Sequence, residues 1–150
     1  MLNIRIICVG KLKEKFYTEA ANEYIKRLSA YCKLDIVEIP EDRGQSLDKE
    51  QVAIEAKIPN GAITAALCIE GQDVDSQGLS DLLMGCAVSG SSKICFIVGG
   101  SVGLHEGLKS NADIRLSMSK MTFPHNLARV MLLEQLYRAL NIAEGGKYHK

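Results

Sequence analysis

A chain of 150 residues, 47% hydrophobic and carrying 18 basic and 18 acidic side chains, is long enough for one well-buried core and short for two. No apolar run reaches the roughly 20 residues that a membrane span needs, and the start runs straight into a strand pattern, so neither a membrane partner nor a secretion leader is expected. The five cysteines, Cys8, Cys32, Cys68, Cys86 and Cys95, are odd in number, scattered and mostly inside apolar segments, with no C-x-x-C pair; they read as buried free thiols of a reducing cytoplasm, with no disulfide framework and no metal.

Residues 2–9 predict a first strand, closed by Gly10 and followed by a basic turn, Lys11-Leu12-Lys13. Phe16, Ala20, Tyr24, Ile25 and Leu28 recur at helical spacing, which predicts an amphipathic helix over 14–30. Leu34, Ile36, Val37 and Ile39 give a second strand that Pro40 stops. After a polar loop, Asp48 with Gln51 three residues on predicts the cap of a short helix reaching Lys57. The turn Pro59-Asn60-Gly61 leads into a third strand over 62–69, apolar almost throughout, as expected where both faces are covered. Ser76 is the expected cap of a helix that places Leu79, Leu82, Leu83, Cys86 and Ala87 on one face.

The richest stretch follows. Residues 94–98 read as a buried strand ending abruptly at Gly99, Gly100 and Gly103, where the backbone can approach a ligand closely. A short helix and another strand lead to residues 117–123, small and polar, with Pro124 at the start of a helix. Residues 67–71 supply a third loop at a strand's carboxyl end. Such edges are where open α/β sheets bind small molecules, so these three loops form the expected cofactor site. The alternation as a whole predicts a single α/β domain over residues 1–150: a mainly parallel sheet of about five strands with helices on both faces.

The last helix, expected over 124–144, is apolar around most of its circumference, leaving Glu134, Arg138 and Asn141 as a narrow polar stripe. One side can face the sheet and the other a second copy, which predicts a homodimer through this C-terminal helix; the competing arrangement is a central helix in a monomer. Charge is distributed unevenly: residues 1–33 hold seven Lys or Arg against three acids, 34–90 hold three against eleven, and 91–150 hold eight against four. A neutral chain can therefore still present a basic face to a polyanion.

Gly10-Lys11-Leu12-Lys13, the run Ile97-Val98-Gly99-Gly100-Ser101-Val102-Gly103-Leu104, the run Leu116-Ser117-Met118-Ser119-Lys120-Met121-Thr122-Phe123-Pro124-His125 and the ending Tyr148-His149-Lys150 together resemble the ribosomal large subunit methyltransferase H family of the SPOUT class, in order along the whole chain. The resemblance implies an α/β trefoil knot, a homodimer, and methylation of the N3 position of a pseudouridine in 23S rRNA with S-adenosyl-L-methionine as cofactor. Periodicity could not have shown the knot, which general topology rules make rare. Carried over by position, the family's cofactor contacts fall on Leu67, Gly99, Met118, Ser119, Lys120, Met121, Thr122 and Phe123. The segment 41–57 looks shorter than in relatives, a departure away from the expected pocket.

Methyl transfer is an in-line displacement, so holding donor and acceptor aligned is the main contribution asked of the protein. The uracil N3 carries a proton that a base must remove; His125, beside the cofactor loop, is the first candidate as base or uracil-orienting group, with His149 and Glu134 as others. Arg129 and Arg138 suit phosphate or the uracil oxygens, although Glu134 and Arg138 at i, i+4 also suit a salt bridge. Tyr148 could stack on the target base, with His149 and Lys150 on its phosphate, and Lys11, Lys13 and Lys15 could contact the RNA backbone. The catalytic candidates are thus His125, Arg129, Tyr148 and His149. With no separate RNA-binding domain, the expected substrate is the assembled ribosome. The rival readings are a methyltransferase acting on another rRNA or tRNA base, a non-catalytic ribosome-binding factor, and a dinucleotide-dependent oxidoreductase, for which the lone glycine turn lies too late in the chain.

Overall fold

A strand whose side chains are apolar on both faces must lie inside a sheet covered from both sides, and β4 (Lys93–Val98) is the central strand here, paired with β1 (Asn3–Val9). The computed structural model describes all residues, 1–150, and adds β2 (Lys33–Ile39), β3 (Ile63–Asp73) and β5 (Ile114–Ser117) in the order β2-β1-β4-β3-β5. Every pairing is parallel, so all five carboxyl ends lie on one edge.

Alternation along the strands feeds two cores of unequal size. On one face Ile4, Ile6, Cys8, Phe96, Val98 and Leu116 pack under α1 (Lys15–Leu28), α3 (Ser76–Val88) and α5 (His125–Ala143). On the other, Ile7, Val9, Cys95 and Ile97 meet the shorter α2 (Leu47–Glu55) and α4 (Glu106–Asn111) through Ile54 and Leu108, with Leu104 of the turn before α4. Burying one such aliphatic or aromatic side chain contributes roughly 1.5–3 kcal/mol. α5 lies between α1 and α3, with Leu132, Leu133, Leu136, Ala139 and Leu140 buried, while Leu127, Met131, Tyr137 and Ile142 remain half-buried. No helix is long and apolar enough to cross a membrane.

Several local expectations shift. Phe16 is 66% exposed, and its ring lies 4.5 Å from that of Tyr17, which packs against the core. Tyr17, Ala21, Tyr24 and Leu28 hold the better i, i+4, i+7, i+11 register, so Tyr17 turns inward. Ser46, not Asp48, caps α2 by accepting from the Lys49 N–H, and Asp48 Oδ1 instead meets His105 Nε2 at 2.9 Å. Asp75 caps α3 through the Gly78 N–H at 2.7 Å, which frees Ser76 Oγ to donate to Gln135 Oε1 on α5 at 2.6 Å. The third strand runs past residue 69 to Asp73, but not regularly: Leu67 and Gln72 both pair with Leu116, and the residues between them bulge out. Gly71 is required there, since a Cβ would stand 2.7 Å from the backbone of Arg115 and Leu116.

Candidate functional site

The carboxyl ends of β3, β4 and β5 surround a cavity of about 640 Å³, within the range for small-molecule sites. Its walls come from the β3 bulge (Leu67, Cys68, Ile69, Glu70), the turn after β4 (Val98, Gly99, Gly100, Ser101, Gly103, Leu104) and the segment joining β5 to α5 (Leu116 to Met118, Ser119, and Met121 to His125). Leu67, Gly99, Met118, Ser119, Met121, Thr122, Phe123 and His125 therefore share one hollow. Lys120 is exposed and does not line it.

Each loop is fixed from within. Gly103 has φ +82 and donates its N–H to the Gly100 carbonyl at 3.1 Å, closing a tight turn. At Gly99 the close neighbour is the protein itself: a Cβ there would lie 2.6 Å from the Gly103 carbonyl oxygen and 3.1 Å from Leu104 Cγ. Of the three glycines in this turn, only Gly103 uses a dihedral that other residues avoid. In the β5–α5 segment Ser117 Oγ donates to the Ser119 carbonyl at 2.9 Å, and Ser119 Oγ accepts from the Met121 N–H at 3.0 Å. These two bonds brace the loop that forms this wall of the cavity.

Two charged wall residues were not picked out by sequence reasoning. Lys109 Nζ on α4 lies 2.6 Å from Glu70 Oε1 on the bulge, with Glu106 Oε1 at 3.2 Å. Hydrogen bonding to Glu70 holds the Lys109 ammonium above its ordinary range, and the same bond holds the Glu70 carboxyl below the usual carboxylate range. A charge at the end of an apolar strand just before a glycine was the available signal for Glu70. Lys109 had none, because its partner lies 39 residues away.

Arg129, a candidate for gripping phosphate or uracil oxygens, is turned into the protein. Its side chain is 4% exposed, with Nη1 on Glu38 Oε2 at 2.6 Å and Nη2 on the Gly10 carbonyl at 2.7 Å. Glu38 Oε2 also accepts from the Leu12 N–H at 3.0 Å, so one ion pair ties the basic turn after β1 to the first turns of α5. Burial pushes the Glu38 carboxyl up, but the Arg129 and Leu12 hydrogen bonds and the Arg129 charge outweigh it, leaving the group below its ordinary value. A carboxyl lowered by folding adds stability that is present above its unfolded pKa and lost as pH falls through the folded one. Arg129→Met is expected to cost about 2–3 kcal/mol at pH 7, less than a fully buried pair because Glu38 is partly hydrated. The loss should shrink as pH falls through the lowered Glu38 pKa; urea denaturation at neutral and at acidic pH checks this, and a pH-independent loss would mean that Arg129 acts by packing alone.

His125 lines the cavity, and its Nε2 lies 3.9 Å from where a side chain on Gly10 would begin. α5 has Pro124 at its N-cap and no side-chain cap hydrogen bond, so the imidazole is not consumed there. Glu134 and Arg138 form the i, i+4 pair, at 2.8 Å. Tyr148 and His149 lie elsewhere: the Tyr148 ring is 4.8 Å from that of Tyr137 and 4.5 Å from Arg138 Cζ, its N–H donates to Asn141 Oδ1, and His149 Nδ1 is 3.2 Å from Arg138 Nη1. The tail is thus docked beside the C-terminal half of α5, at Tyr137, Arg138 and Asn141, about 18–24 Å along the helix axis from His125.

A family model described as "Predicted SPOUT methyltransferase" matches residues 2–149. Ribosomal RNA large subunit methyltransferase H of Clostridium botulinum (strain 657 / Type Ba4) is 47% identical over 159 aligned positions, covering 99% of this chain and all of the relative. The protein of the same name from Clostridium perfringens (strain 13 / Type A) is 44% identical with the same coverage. Among solved structures, a probable methylase family protein from Haemophilus influenzae Rd KW20 superposes with a TM-score of 0.63 at 13% identity, over 98% of this chain and 70% of that one, a likeness of fold.

Proposed function

Because the chain belongs to the ribosomal RNA large subunit methyltransferase H family of SPOUT methyltransferases, we propose that it methylates the N3 position of a pseudouridine in 23S rRNA, using S-adenosyl-L-methionine. On this reading it is a single-domain cytoplasmic enzyme that acts on the assembled ribosome. The observation that carries the proposal is the convergence of three loops, from three different strands, on one cavity at the sheet's carboxyl edge. The family's trefoil threading belongs to the same reading. What supports it is the path from β4 across β3 to β5 by way of α4 on one face, followed by the return of α5 on the other.

The residues present fit the cofactor. Leu67, Leu116, Met118 and Phe123 offer apolar side chains for an adenine, the braced backbones after β4 and β5 offer hydrogen-bonding groups for its edge and the ribose, and charged groups stand on the wall. When bound, the cofactor supplies an electrophilic methyl group on a sulfonium. The protein then has to hold the acceptor nitrogen in line and manage its proton. His125, on the cavity wall, is placed to accept that proton or orient the uracil edge. Arg129 acts one step back, by fixing the Gly10 turn beside His125.

The tail completes the site only in a homodimer. A chain whose Tyr148 and His149 are docked far along α5 cannot present them to its own cavity, whereas a two-fold mate packed on the half-buried side of α5 can. Tyr148 would then stack on the target base and His149 and Lys150 meet its phosphate, with Lys11, Lys13 and Lys15, all exposed, on the neighbouring RNA backbone.

Mass mapping of 23S rRNA from cells with and without the gene tests the proposal. One methyl group on one pseudouridine should disappear with the gene and return when purified protein and S-adenosylmethionine are added to intact ribosomes. An unchanged methylation map, or equal methylation of deproteinised RNA, would refute the target or the requirement for an assembled particle, respectively.

A further inference from the structure

The Glu70–Lys109 pair lines the cavity, with Lys109 largely covered and Glu70 half-exposed at its mouth. Glu70 reaches the wall because β3 bulges between Leu67 and Gln72, an irregularity made possible by the close approach of Gly71 to β5. Bulges of this kind redirect a side chain where a regular strand could not. Lys109 comes from α4 on the opposite side of the same wall, and only 14% of its side chain is exposed, against 50% for Glu70. An ammonium and a carboxylate side by side on the wall of a cavity otherwise rich in apolar side chains complement a ligand that carries both charges close together.

Resting on the cofactor assignment above, we propose that Glu70 and Lys109 form the subsite for the amino-acid end of S-adenosylmethionine, with Lys109 taking its carboxylate and Glu70 its ammonium. The exchange conserves charge pairing: one ion pair opens to accept a zwitterion, and each of the four groups keeps an opposite partner. Glu106, the second acceptor for Lys109, brings the local sum of the three side chains to one negative charge, which complements the net positive charge that the sulfonium gives the cofactor. The subsite therefore distinguishes the cofactor from nucleosides that lack the amino-acid group.

Calorimetry with two probes tests this. S-adenosylhomocysteine carries the zwitterion, whereas 5′-methylthioadenosine keeps the adenosine and sulfur without it. The full-length protein is expected to bind S-adenosylhomocysteine at least tenfold more tightly, and Lys109→Met and Glu70→Gln should each remove about tenfold or more of that affinity. Methylthioadenosine should bind both variants within twofold of wild type, which also reports that the cavity is intact. If both ligands weaken together, the pair is only a clip between the bulge and α4 and the proposal is overturned. Unchanged S-adenosylhomocysteine affinity overturns it as well. Failure of the unmodified protein to bind either probe would instead sink the cofactor assignment on which the subsite depends.

Discussion

With His149 replaced by alanine, methyl transfer to ribosomal RNA is expected to fall by about a hundredfold or more, the usual scale for loss of a group that moves or stabilises a proton or phosphate. S-adenosylhomocysteine should bind as tightly as before. The separation follows from the geometry: His149 sits beside Arg138, about 15 Å along α5 from Ala128, the last residue of that helix on the cavity wall. In the proposed dimer its effect reaches the site of a second copy. Mixing His149→Ala subunits with subunits inactivated in the cavity should restore part of the activity, because half of the sites in a mixed dimer combine an intact cavity with an intact tail. Unchanged turnover in His149→Ala would remove the tail from the mechanism, and no rescue on mixing would remove the trans arrangement.

Gly99→Ala should have the opposite signature and would serve as the cavity-inactivated partner. The new methyl would stand 2.6 Å from the Gly103 carbonyl oxygen, a backbone atom that cannot move without opening the turn after β4. Overpacking of this kind costs about 1–3 kcal/mol, and the displaced turn forms part of the cavity wall. The expected result is a lower unfolding midpoint in urea together with S-adenosylhomocysteine binding weakened about tenfold or more. Wild-type affinity in a folded Gly99→Ala protein would show that the turn after β4 does not shape the ligand site.

The parallel sheet was legible because apolar runs and helical periodicities alternate from Asn3 to Ala143, and an apolar run such as that of β4 allows few other arrangements. The three loops were legible for a related reason: each begins where an apolar strand gives way to glycine or serine. What stayed hidden depends on long-range register. Glu70 meets Lys109 only because two residues of β3 share Leu116, and Arg129 turns away from the cavity because Glu38 and the Gly10 carbonyl, 91 and 119 residues distant, occupy its donors. The helix caps illustrate a smaller limit. Ser46 and Asp48, or Asp75 and Ser76, are chemically interchangeable as caps, and the local path of the backbone selects one of each pair.

The strand order has a consequence for how the chain comes into being. β1 is made first but lies between β2 and β4, and Asn3 has to find Lys93 before its second edge is covered. During synthesis a largely apolar strand therefore waits with one row of amide groups unpaired, which slows folding and invites association with other chains. A nascent chain of this topology has good reason to be shielded by a chaperone until β4 has emerged.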